Sequence, residues 1–90
     1  MKRVRVIITG LVQSAGYRDY IQEKATMLDL TGYVQNLDDG SVEAIFEGYE
    51  DDIDEMLDYC KTGTRKSKVE DIEVLEEEYT GEFEDFEIRV

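Results

Sequence analysis

The 90-residue chain contains no histidine, no tryptophan and no proline, and its only cysteine is Cys60. Without histidine there is no imidazole to act as a general base, and no Cys/His zinc cluster can form. One cysteine cannot close an intramolecular disulfide, so nothing points to an oxidising compartment and the expectation is a cytoplasmic protein. Cations are also scarce: 10 Lys and Arg stand against 23 Asp and Glu, a formal net charge of −13. That balance argues against generic binding to nucleic acid or to an anionic membrane, and self-repulsion favours a monomer. No apolar run approaches the roughly 18 residues needed to span a bilayer. Lys2, Arg3 and Arg5 resemble the basic start of an export signal, but Thr9 and Gly10 interrupt the apolar segment behind them.

With 41% hydrophobic residues the chain should nevertheless fold. A domain of this size buries roughly 60–68% of its unfolded surface, enough for one core, and one domain over residues 1–90 is expected. Val4, Val6 and Ile8 alternate with Arg3 and Arg5, the pattern of a strand with one buried face. Residues 9–17 lose that alternation and read as a loop. From Arg18 to Leu30, Ile21, Ala25 and Leu28 recur at helical spacing.

Thr31 to Leu37 reads as a second strand running into Asp39-Gly40, a hairpin signal. Val42, Ala44 and Phe46 then alternate with Glu43, Ile45 and Glu47 in a third strand, whose second set is expected to face solvent. Ile53, Met56, Leu57 and Cys60 form the apolar stripe of a second helix beginning near Glu50, and Gly63 is its expected stop. Residues 69–75 and 86–90 read as one or two further strands. The run Glu76-Glu77-Glu78 is expected to be a solvated surface and not a metal site. The order β-α-β-β-α-β predicts an α+β, ferredoxin-like arrangement: an antiparallel sheet with two helices on one face.

In that arrangement three connections share one end of the sheet: residues 9–17, the hairpin beyond Asn36, and residues 61–68. Gly10-Leu11-Val12-Gln13-Ser14-Ala15-Gly16-Tyr17-Arg18 is a strand-to-helix loop ending on a fixed cation. Amides converging at a helix N-terminus suit phosphate or carboxylate, and a guanidinium can grip a phosphate bidentately. By spacing alone, Arg18 reads as a surface or salt-bridged arginine ahead of a phosphate ligand. Charge is unevenly placed: residues 1–36 hold five cations and three acids, net +2, and the other 54 hold five and twenty, net −15. Lys61, Arg65, Lys66 and Lys68, with no acid between them, either form a positive funnel or complement a helix C-terminus. Asn36 alone reads as a turn residue, Tyr17 as a core anchor, and Cys60 as a core residue.

Gly10-x-Val12-Gln13-x-x-Gly16-Tyr17-Arg18, followed by Thr31-Gly32-x-Val34-x-Asn36-x-x-Asp39-Gly40-Ser41-Val42-Glu43, resembles the two signature blocks of the acylphosphatase family, and Phe86-x-Ile88 resembles its closing strand. The resemblance implies hydrolysis of the carboxyl-phosphate anhydride of small acyl phosphates to carboxylate and inorganic phosphate, with no metal and no cofactor. It also implies that Arg18 binds phosphate, that the loop Gln13, Ser14, Ala15, Gly16, Tyr17, Arg18 wraps the phosphoryl oxygens, and that Asn36 orients the attacking water. The sequence differs from the family pattern in having Ser14, Ala15 and Tyr17 where Gly, Val and Phe are usual, and in lacking prolines after the second helix. The competing expectations are a ferredoxin-like anion-binding or interaction module without turnover, and, more weakly, an RNA-binding domain. The latter is disfavoured by the acids on the third strand.

Overall fold

The computed structural model describes residues 1–13 and 16–90. Its order is β1 (Lys2–Leu11), α1 (Tyr17–Met27), β2 (Thr31–Asn36), β3 (Val42–Gly48), α2 (Glu50–Thr62), β4 (Lys68–Glu77) and β5 (Phe86–Arg89). The five strands form one sheet in the order β4-β1-β3-β2-β5. The pairs β1–β3, β1–β4 and β2–β3 are antiparallel, and β5 adds a parallel pair along β2. Two strands therefore close the chain, and the sheet is mixed at the β5 edge.

The period-two face of β1 places Val4, Val6 and Ile8 in one core with Tyr17, Ile21 and Ala25 of α1 and with Ile53, Met56 and Cys60 of α2. Both helices thus cover the same face, and Phe46 stacks on Phe86 at 5.3 Å within that layer. α1 ends sooner than the periodicity suggests. Leu28 is its C-cap, and Asp29 turns the chain out at φ 58°. α2 ends as expected at Gly63, whose φ is 67° and whose N–H donates to the Tyr59 carbonyl at 3.0 Å.

The opposite face departs from the sequence expectation. Glu43, Ile45 and Glu47 are buried, at 7%, 0% and 2% exposure, where alternation predicts solvent. Residues 78–85 lie across this face, and the charges are matched beneath them. Glu47 accepts from Arg3 at 3.1 Å, from the Thr80 N–H and hydroxyl at 3.1 and 3.0 Å, and from the Gly81 N–H at 3.1 Å. Glu43 is paired with Arg5 and accepts from Gln35 at 2.7 Å and Tyr33 at 3.2 Å. Phe83 covers Arg3 at 5.5 Å and meets Tyr33 edge-on at 5.9 Å. Glu77 is likewise no free surface acid, since Arg3 and Arg5 bridge to it at 2.9 and 2.8 Å. Alternation marks which side chains share a face; it does not show what covers that face.

Among the described residues, no helix is long and apolar enough to cross a membrane.

Candidate functional site

Strand register brings the three expected connections together. Leu11, the last residue of β1, pairs with Lys68, the first of β4, and Asn36, the last residue of β2, pairs with Val42 at the start of β3. Gly10 makes the first closure possible. It sits at a β-bulge with φ 129°, and a Cβ there would stand 2.1 Å from the Lys68 carbonyl oxygen. Only glycine lets the two backbones approach that closely. The basic 61–68 loop is therefore held against the root of the strand-to-helix loop.

The far end of that loop is anchored by Tyr17. Its ring is 1% exposed, and its hydroxyl donates to the Cys60 carbonyl at 2.8 Å, which joins the start of α1 to the end of α2. Burial pushes the Tyr17 phenol far above its ordinary range, so it stays protonated and serves as an anchor. Cys60 is in the core as expected, with its thiol pushed up to about 12 by burial. Gly16 is the N-cap of α1 with φ 70°, and it offers no side-chain cap. The first amides of a helix have no intrahelical acceptor, and among the described residues no side chain caps those of α1.

Beside them lies a cleft of about 200 Å³ lined by Gln13, Gly16, Tyr17, Arg18, Asp19 and Ile88. It is smaller than the roughly 300–1,000 Å³ that drug-sized ligands occupy, so it suits a small one. Arg18 is held at its rim by a long hydrogen bond of 3.4 Å to the Arg89 carbonyl. Its charge is otherwise unspent. Lys2, Arg3, Arg5, Lys24 and Arg89 all form ion pairs. Among the described residues Arg18 has no carboxylate within ion-pair range, and neither do Lys61, Arg65, Lys66 or Lys68. In a chain with 23 acids, the five unpaired side-chain cations among the described residues all stand at the end where the three connections meet.

The structure thus gathers Gln13, Gly16, Tyr17 and Arg18 at one cleft, while Ser14 and Ala15 lie outside the described residues. Asn36 is not among the lining residues. It is exposed at the end of β2, one residue before the backbone that Gln13 grips. Gln13 donates to the Leu37 carbonyl at 2.6 Å and to the Ser41 carbonyl at 2.8 Å, joining the loop to the β2–β3 hairpin. Sequence reasoning missed Asp19, Ile88 and the Arg89 carbonyl as parts of the cleft. Asp19 follows Arg18 directly and could have been suspected; nothing in the sequence places Ile88 or Arg89 there, because β5 reaches this end only by pairing with β2 in parallel.

Fold and cleft define a ferredoxin-like domain with a small cleft between its first strand and the start of its first helix. Comparison with known proteins makes the assignment specific: the family model for acylphosphatase matches residues 4–88. The chain belongs to the acylphosphatase family, a family of hydrolases acting on acyl phosphates. It is 46% identical over 87 residues to an acylphosphatase of Caldanaerobacter subterraneus subsp. tengcongensis, covering 97% of each chain. It is 42% identical over 88 residues to one from Syntrophus aciditrophicus, covering 98% of this chain and 92% of that one. The crystal structure of acylphosphatase from Bacillus subtilis superposes with a TM-score of 0.96 at 37% identity, over the whole of both chains.

Proposed function

We propose that residues 1–90 act as a single, monomeric, cytoplasmic domain that hydrolyses small acyl phosphates at this cleft, with Arg18 and Asn36 as its catalytic residues and no part for nucleic acid or membrane. The phosphoryl group is held by Arg18 and by the amides of residues 13–18. The observation that carries this reading is the guanidinium of Arg18, which among the described residues is free of carboxylates at a helix N-terminus, while the Lys and Arg side chains outside this end are paired.

The chemistry asks for little more. A carboxylate is a good leaving group, so no strong general acid is required. Turnover comes from holding the phosphoryl group, stabilising charge on its oxygens and aiming a water. Asn36 suits the last task, because its amide can accept from the water and donate to a phosphoryl oxygen, whereas a carboxylate there would repel the substrate. Water attacks phosphorus, the bond from phosphorus to the bridging oxygen breaks, and carboxylate and inorganic phosphate leave. The water's proton passes to a phosphate oxygen or to solvent.

The test is hydrolysis of acetyl phosphate or benzoyl phosphate in the presence of EDTA. Arg18→Gln removes a bidentate charged contact and should lower kcat/KM by roughly 10²–10³-fold, the scale of losing a preorganised charge-stabilising group. Asn36→Ala should lower kcat while competitive inhibition by inorganic phosphate persists. Phosphate binding without turnover in the unsubstituted protein would make it an anion-binding module instead.

A further inference from the structure

We infer that Gln13 is a positioning residue that fixes Asn36 relative to the bound phosphoryl group, rather than a phosphate ligand. The inference rests on the catalytic reading of Asn36 given above. The Gln13 side-chain amide has two N–H donors, and Nε2 has a backbone carbonyl within reach for each: Leu37 at 2.6 Å and Ser41 at 2.8 Å. With both protons engaged there, that nitrogen has none left for a phosphate oxygen.

The two carbonyls close the hairpin. The Leu37 N–H donates to the Ser41 carbonyl at 2.9 Å, and the Gly40 N–H donates to the Leu37 carbonyl at 3.2 Å. Asp39 completes the turn by accepting from the Ser41 N–H at 2.9 Å and its hydroxyl at 2.5 Å. Each carbonyl therefore accepts two bonds, one from within the turn and one from Gln13. The turn sets its own shape, and Gln13 sets where that shape sits against the phosphate loop. Asn36 immediately precedes Leu37, so its position relative to the loop is passed through a backbone unit clamped from both sides. A misplacement of about 1 Å between a held phosphoryl group and an aimed nucleophile can cost on the order of 10²-fold in rate, which sets the scale for the tether.

A tether acts through Asn36, and a phosphate ligand acts without it. The discriminating experiment is a kinetic double-mutant cycle on the full chain with benzoyl phosphate, supplemented by the inhibition constant for inorganic phosphate. Gln13→Ala should lower kcat by roughly 10- to 100-fold, the cost of misplacing an aimed group. KM and phosphate inhibition should stay within about threefold. On an Asn36→Ala background the same substitution should lower kcat by less than about threefold, because the residue it positions is gone. Gln13→Met, close in shape and without donors, is the second variant should the alanine protein not fold, and it carries the same expectations. A full Gln13 effect persisting in Asn36→Ala, or a weakened phosphate inhibition with kcat intact, overturns the inference alone. Asn36→Ala with undiminished kcat overturns the catalytic reading of Asn36, and the inference with it.

Discussion

Glu47→Gln tests whether the charged layer beneath residues 78–85 holds the fold together. The Glu47 side chain is 1% exposed, and four donors converge on it. A glutamine can place its carbonyl oxygen where Oε2 now takes Arg3 and Thr80, but its NH2 then faces the Gly81 N–H, donor against donor. The buried unsatisfied donor costs about 1–3 kcal/mol, and the remaining bonds lose the strengthening given by a formal charge. Removing one partner of a buried ion pair costs about 3–5 kcal/mol. Because Arg3 keeps Glu77 and Glu82 at 2.9 Å each, the low end applies, about 3 kcal/mol by that same scale. For a domain of this size that lowers Tm by about 12–24 °C. Glu82→Gln, on a side chain 55% exposed, should cost less than about 1 kcal/mol and serves as the comparison.

The assay is thermal and urea unfolding followed by circular dichroism, repeated across pH. Burial by itself would raise the Glu47 carboxyl; hydrogen bonds from Thr80, Arg3 and Gly81 outweigh it and hold the carboxyl below its ordinary 4.5. A carboxyl lowered in the folded state adds stability above its unfolded value and loses it as pH falls through the folded value. The gap between the original protein and Glu47→Gln should therefore be full near pH 7 and narrow below about pH 4, following the same linkage. Glu47 pairs with Thr31, at the other end of β2 from Asn36, so kcat per folded molecule should not change. A stability loss under about 1 kcal/mol, no more than an exposed pair contributes, or a gap that does not depend on pH, would refute the reasoning.

The remaining expectations concern the end of α2 and the segment that follows it. Cys60, buried with its thiol pushed up to about 12, should resist aromatic disulfide reagents at pH 8 in the native protein and react fully in urea; rapid native labelling would contradict its place in the core. If the unpaired cations of residues 61–68 draw anionic substrate to the cleft, Arg65→Gln with Lys66→Gln should lower kcat/KM for acetyl phosphate roughly two- to fivefold at low salt, with kcat unchanged and the difference gone near 0.5 M salt. Equal rates at all ionic strengths would leave those cations only their local role beside α2.

Much of the fold was legible because its signals are local. Val4, Val6 and Ile8 announce a strand with one buried face, Ile53, Met56 and Cys60 a helix stripe, and Asp39-Gly40 and Gly63 the points where the chain must turn or stop. Each needs only the side-chain period or a backbone angle. The candidate site was legible to the extent that it is a loop: Gln13, Gly16, Tyr17 and Arg18 lie within six consecutive positions, and the structure puts them around one cleft. The link from Gln13 to Leu37 and Ser41 spans 24 and 28 residues, and no local pattern encodes it.

By itself the sequence determined the order of elements from β1 to α2, the core faces of β1, β3 and the two helices, the absence of histidine chemistry and the concentration of positive charge in residues 1–36. These follow from composition and short-range periodicity. Only the tertiary structure decided which charges are spent. Arg3 and Arg5, indistinguishable from Arg18 as letters, are bound to Glu47, Glu43 and Glu77 because strand pairing sets β1 between β3 and β4 and residues 78–85 fold over them. Arg18 is left beside the first turn of α1 with the Arg89 carbonyl as its contact among the described residues. An arginine is free or paired according to what the folded chain brings within about 4 Å of it, and that distance is set across the sheet rather than along the sequence.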